Sequence, residues 1–212
     1  NRRAWKGYFP DAGDLHRIWT LHPNITFLAF TRRGCTTLNN LTIQAFYSRK
    51  KPLVILDADI ESNPDNYDER HKLKPAGQLQ PTKLAIYAGM KLFFTRNVDK
   101  SRDYINGMRC EAEDWIPHTQ TLQVLTSTNK RVPVRVWTDK DLYNMTYFPI
   151  RGGYASTVLK MAGAELPHVT LWMDAEHIPG AAYTGMSRVQ YGRDLLIGGD
   201  ITKHHFQPAP TI

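Results

Sequence analysis

The chain has no apolar run approaching the ~20 residues that a helical bilayer span needs, so no membrane partner is expected. Only two cysteines, Cys35 and Cys110, occur in 212 residues. Two thiols cannot build a metal cluster, no metal ligand set is assigned, and a disulfide between them is not implied. Such sparse cysteine fits a reducing, intracellular compartment, nuclear or mitochondrial if the cell is eukaryotic. The opening Asn1-Arg2-Arg3-Ala4-Trp5 carries no signal-peptide core and lacks a starting Met, which points to a fragment. The Asn-x-Thr matches at Asn24, Asn40 and Asn144 are therefore read as chance. No internal repeat or low-complexity tract is present. The pattern G-x-x-x-x-G-K-[ST] occurs nowhere, so the chain supplies no Walker-type phosphate cradle.

What is present describes a folded soluble protein, 42% hydrophobic and 22% charged. Lys and Arg outnumber Asp and Glu by 27 to 20, a net +7 that suggests an anionic partner. Both ends alternate strand-like and helix-like segments. Ile25 to Phe30 reads as a buried strand, followed by a helix capped by Thr36 or Thr37 with Leu38, Leu41 and Ala45 on one face. Leu53 to Leu56 is a second strand, and residues 57–82 are a polar loop. Between about 84 and 148 short strands alternate with turn signals, including Asn106-Gly107, a favoured type I′ pair; this suggests a small β-barrel or curled sheet. Val169 to Met173 is a strand ending at Asp174, Pro179 to Val189 a helix, and Leu195 to Ile197 a last strand. That β-α-β order predicts a mainly parallel sheet.

Tyr154 to Leu166 is the most informative stretch. It reads as a strand end turning into a helix closed by Gly163. Ser156 and Thr157 would then stand at a helix N-terminus, where free N–H groups attract phosphate, with Lys160 one turn on. The bland alternative is a capped helix with a solvated lysine. In Ala181 to Val189, Arg188 follows small residues and would project into a cleft; its alternative is a surface arginine paired with a carboxylate such as Asp194. Trp115, Trp137 and Tyr143 read as core or barrel residues ahead of base-stacking ones, and Asp57 and Asp59 as a surface turn. Asp68-Glu69 reads as a solvated loop, and His204-His205 lacks the support a metal site needs.

Taken together, these stretches resemble the motor motifs of superfamily I DNA helicases of the petite-integration-frequency (Pif) and RecD-like group. Tyr154-Ala-Ser-Thr-Val-x-Lys-x-x-Gly-x-Glu-Leu166 is similar to the fifth motif and Tyr183-Thr-Gly-Met-Ser-Arg-Val189 to the sixth. Tyr87 to Asp99 with Ile105-Asn106-Gly107-Met108-Arg109 resembles the segment that enters an inserted barrel, and Ala29 to Arg33 with Asn39 the fourth motif. The likeness runs from about residue 25 to 199. It implies an α/β fold: a RecA-like, mainly parallel sheet with helices on both faces and an inserted small SH3-like β-barrel. The second RecA-like domain would occupy 1–83 and 149–212, and the barrel 84–148.

The resemblance also implies roles. Arg188 would be the catalytic arginine finger on the ATP γ-phosphate, with Arg32 or Arg33 near the same phosphate. Gly163 would let backbone approach the nucleotide and Glu165 would accept a bond from its ribose. Ser156, Thr157, Lys160, Asn106 and Arg109 would meet nucleic acid. ATP and Mg2+ would be shared with a first RecA-like domain that this chain does not contain, so the chain alone is expected to hydrolyse no ATP. The partner would be single-stranded DNA or a DNA fork, RNA being left open, with 5′-to-3′ travel. The family's fifth motif usually has His-Lys-x-Gln-Gly where this chain has Leu159-Lys160-Met161-Ala162-Gly163. That departure keeps a second reading in play, a non-catalytic nucleic-acid-binding module derived from a helicase.

Overall fold

The computed structural model describes residues 9–175, 178, 180–199 and 201–207. It divides the chain into two compact units, residues 1–48 with 154–212, and residues 49–153.

The first unit is built on a four-stranded parallel sheet. Helix α1 spans Ala12–Leu21, capped by the Asp11 carboxylate accepting from the Asp14 N–H; Leu15 and Trp19, four apart, are its buried stripe. Strand β1, Ile25–Ala29, is buried at every position, as an interior parallel strand requires. Helix α2, Arg32–Tyr47, starts one residue after its cap Thr31, whose hydroxyl accepts from the Gly34 N–H at 2.9 Å. The sequence placed this cap at Thr36 or Thr37; the helix begins a turn earlier. Strands β11 (Ala155–Thr157), β12 (His168–Met173) and β13 (Leu195–Gly199) complete the sheet in the order β11-β1-β12-β13. Every ladder is parallel, with Phe27 opposite Ala155 and Thr170, and Leu171 opposite Ile197.

Helices cover both faces of this sheet. Trp19 of α1 meets Phe27, ring centroids 6.3 Å apart. Phe27 and Leu28 point to opposite faces, and Leu171 shares the Leu28 face through its register. Against Leu171 packs Gly185 of α3, Ala181–Met186, where any Cβ would come within 2.6 Å of a Leu171 methyl. The expected helix over 179–189 is thus six residues long, and its expected first-turn Pro179 lies outside the described residues. Asn39 ties α2 to β11. Its amide nitrogen donates to the Ala155 carbonyl and its oxygen accepts from the Tyr154 and Ala155 N–H groups, all at 3.0–3.1 Å. Nearby, the Tyr154 hydroxyl bonds that of Tyr47 at 3.1 Å.

The second unit is antiparallel. Strand β2 (Val54–Ala58) pairs with β3 (Thr82–Ile86). The strand foreseen at 53–56 exists, but it joins this hairpin and not the parallel sheet. The hairpin's connection, 59–81, is no plain polar loop. Asn66 is buried, donating to the Ile60 and Gln80 carbonyls at 2.8 Å and accepting from the Gln80 N–H. Ile60 and Leu79 pack with Leu142 and Tyr147.

Strands β4 (Lys91–Phe94), β5 (Arg109–Ile116), β6 (Thr121–Thr126), β7 (Arg131–Val134) and β10 (Ile150–Gly152) form an open sheet ordered β10-β4-β5-β6-β7. Strands β8 (Trp137–Asp139) and β9 (Met145–Tyr147) make a separate hairpin. Gly107 has φ +84 while Asn106 is not left-handed, and Met108 N–H bonds the Ile105 carbonyl, so this turn is type II and not type I′. Trp115 and Trp137 are half-buried, but Tyr143 is 67% exposed with φ 56 at a hairpin tip, so it is no core residue. Among the described residues no helix is long and apolar enough to cross a membrane.

Candidate functional site

Two stretches singled out in the sequence meet in the first unit. Three bonds join residues 164–166 to 188–190. The Leu166 N–H donates to the Arg188 carbonyl at 2.8 Å, the Arg188 Nη1 to the Ala164 carbonyl at 3.3 Å, and the Gln190 amide to the Glu165 carboxylate at 2.5 Å. Gly163, at φ +85, begins this segment; Glu165 is exposed and Arg188 half-buried. Gly163, Glu165 and Arg188 are therefore brought together.

The guanidinium of Arg188 is oriented by its neighbours. Nε donates to the Thr184 carbonyl at 2.9 Å and Nη2 to the Ser187 hydroxyl at 2.7 Å. Ser187 in turn donates to the Thr184 carbonyl at 3.0 Å. A cation at the carbonyl end of α3 is favoured by that end's partial negative charge. Among the described residues three of the five guanidinium N–H groups are used, which leaves one on each terminal nitrogen to donate to a phosphate or carboxylate. The alternative partner Asp194 faces His168 at 3.4 Å instead.

A second group lies at the carboxyl ends of the strands. Asp174, just past β12, accepts from the Phe30 N–H at 2.6 Å, the Thr31 N–H at 3.2 Å and the Thr31 hydroxyl at 2.5 Å. Burial pushes its carboxyl above the ordinary value, and these donors pull it partly back. Gly34 makes room for it: a Cβ there would lie 1.8 Å from the carboxylate oxygen. Asp174 thus fixes Thr31 as the cap of α2 and with it the first-turn residues Arg32 and Arg33. The sequence showed Asp174 only as a strand end; a carboxylate closing a parallel strand is the signal that could have found it.

Strand polarity separates the two groups. The segment before β12 bonds Arg188, whereas the segment after it bonds the start of α2. Six residues of β12, roughly 17 Å of extended chain, stand between them. The start of α2, which carries Arg32 and Arg33, is therefore tied to the opposite end of β12 from the segment that bonds Arg188.

The fifth-motif contacts also change. Ser156 is fully buried in β11, so its hydroxyl does not face a phosphate. Thr157 is 8% exposed and its hydroxyl accepts from the Lys160 N–H at 3.4 Å. The expected helix is a three-residue 3-10 turn, Leu159–Met161, too short for a dipole-based anion site. Lys160 itself is exposed.

In the second unit, Asn106 is exposed and Arg109 half-buried. Arg109 and buried Arg151 flank the Phe93 ring, 5.1 and 4.5 Å from its centroid, matching their cross-strand register. Burial and the charge of Arg109 hold Lys91 below the usual lysine value. Asp59 is not a surface-turn residue but fully buried, sharing Arg96 with Glu61 and Asp139 at 3.9, 3.0 and 2.7 Å. Nothing in the local pattern announced that cluster. Asp57 pairs with Lys83 at 2.5 Å. Asp68 caps its own exposed turn, as a solvated loop should. His205 is buried, its ring within 2.7 Å of the Ala175 carbonyl. Cys35 and Cys110 are free thiols. No group of three His, Cys, Asp or Glu able to hold a metal occurs among the described residues.

No protein-family model and no curated protein matches the chain. Solved structures do. The Pif1 helicase of Candida albicans is similar with TM-score 0.64 at 17% identity, over 99% of this chain and 53% of that one. A Bacteroides Pif1 helicase in complex with ADP-AlF3 and single-stranded DNA gives 0.63 at 16%, over 99% and 50%. A structure of two coordinating Pif1 helicases at forked double-stranded DNA gives 0.61 at 16%, over 100% and 48%. The chain spans about half the length of these proteins. At such identities the likeness is one of fold: a RecA-like α/β domain, folded as part of those Pif1 structures is folded.

Proposed function

We propose that this chain is the C-terminal motor half of an ATP-dependent DNA helicase or translocase moving 5′ to 3′. The observation that carries the reading is the clip joining residues 164–166 to 188–190, which gathers Gly163, Glu165 and Arg188. The likeness to Pif1 structures, one bound to ADP-AlF3 and single-stranded DNA, supports it. In this reading Arg188 stabilises charge on the transferring phosphate and Glu165 accepts from the ribose. A companion RecA-like domain supplies the phosphate cradle and the Mg2+ ligands, so the isolated chain hydrolyses no ATP. Lys160, Thr157, Asn106 and Arg109 contact single-stranded DNA or a fork, and the 84–148 segment acts as the SH3-like barrel. The compartment is intracellular. The non-catalytic binding module is kept as the alternative by the fifth-motif departure, Leu159-Lys160-Met161-Ala162-Gly163 in place of His-Lys-x-Gln-Gly.

The test is ATP-dependent unwinding by the complete gene product. Arg188→Ala should cut ATP turnover by about 10³–10⁵ while DNA binding stays near the parent's. Unchanged turnover removes Arg188 from the finger role and favours the binding module.

A further inference from the structure

Glu165 and Arg188 present a problem of charge. The Arg188 guanidinium bonds the carbonyl of Ala164, so a carboxylate sits one residue from a cation with two N–H groups to spare. The default outcome is an ion pair, which would occupy both groups at once. No such pair forms among the described residues; the Glu165 carboxylate accepts from the Gln190 amide instead. Gln190 lies just past the sixth-motif stretch and is neutral. It anchors one carboxylate oxygen without adding charge and leaves the other able to accept.

We infer that Gln190 is a positioning residue that keeps Glu165 apart from Arg188, so that the acid remains available to a ribose hydroxyl and the guanidinium to a phosphate. This rests on the nucleotide reading above. Holding the acid by a neutral amide makes one segment serve two recognition tasks. Without Gln190, Glu165 turns onto Arg188, and sugar recognition and turnover fail together.

The experiment compares ATP with 2′-deoxy-ATP in the complete gene product, with melting curves to confirm folding. Gln190→Ala should lower kcat about tenfold and bring the ATP to 2′-deoxy-ATP preference toward one. Adding Glu165→Gln to Gln190→Ala should restore kcat, because no carboxylate remains to occupy Arg188, and should leave the sugar preference lost. A merely structural role for Gln190 predicts no such rescue. A Gln190→Ala enzyme with parental kcat and preference overturns the inference, as does a loss that Glu165→Gln fails to relieve. Arg188→Ala and Glu165→Ala serve as separate controls. If both leave turnover and sugar preference unchanged, the nucleotide reading falls and this inference with it. If both are damaging while Gln190→Ala is silent, only the role of Gln190 falls.

Discussion

Single residues fix the geometry at both ends of β12, and Asp174 is the clearest case. It is held by three donors, yet burial keeps its pKa above the ordinary 3.8. The folded state therefore binds its proton more tightly than the unfolded chain does. Its contribution to stability is highest below the unfolded value and falls as pH rises through the folded one. Asp174→Asn should remove that fall, seen in urea titrations as a parent-minus-variant stability gap that is larger at pH below the unfolded value than at neutral pH. The same replacement leaves buried donors facing an amide, costing about 1–3 kcal/mol. Little of this was legible. The sequence showed the residues Thr31 and Asp174, but side-chain partners 143 positions apart are set by the fold and not by local pattern.

Elements were easier to read than their partners. The strands near 25–30, 169–173 and 195–197 are short apolar runs bounded by turn residues, and each is present. The strand at 53–56 was equally legible, but a run of Leu-Val-Ile-Leu does not name its neighbour, and it pairs antiparallel with β3. The stretch after β11 fails for another reason. Its polar and apolar residues fit a helix, but Gly163 and Pro167 leave too few positions for one, and only a 3-10 turn forms. Of the fifth-motif residues proposed to meet single-stranded DNA, Lys160 is the exposed one. Lys160→Ala should reduce the slope of log affinity against log salt for single-stranded DNA by about one, whereas Ser156→Ala should leave it unchanged. Equal effects of the two would return the contact to β11.

For the whole molecule, the division into two units was partly legible as a change of texture in the middle of the chain. The structural boundaries, 48/49 and 153/154, enclose more than the strand-rich stretch, because the hairpin of β2 and β3 belongs with it. That unit depends on Arg96. Burial opposes the guanidinium's charge, but Asp139, Tyr147, Glu61 and Asp59 outweigh it and keep the arginine firmly protonated. Burial likewise opposes ionisation of Asp139, yet the Tyr147 hydroxyl and Arg96 hold its pKa below 3.8. Its stabilising contribution is present above that value and lost as pH falls through the folded pKa. Arg96→Ala leaves three carboxylates facing one another and should cost about 3 kcal/mol. Hydrogen exchange should quicken across β4 to β7, and mild acid should partly restore protection in the variant, whereas the parent weakens only as pH falls below 3.8.

The Tyr47 and Tyr154 hydroxyls touch at 3.1 Å, one on each side of the excursion from 49 to 153. The chain thus leaves and re-enters the parallel sheet through neighbouring doors. A bridge of about five residues could span that gap at ~3.3 Å each. The register of the parallel sheet is written entirely in residues 25–29, 155–157, 168–173 and 195–199. The frame therefore carries its own register, and evolution or an engineer can exchange the excursion without recutting it.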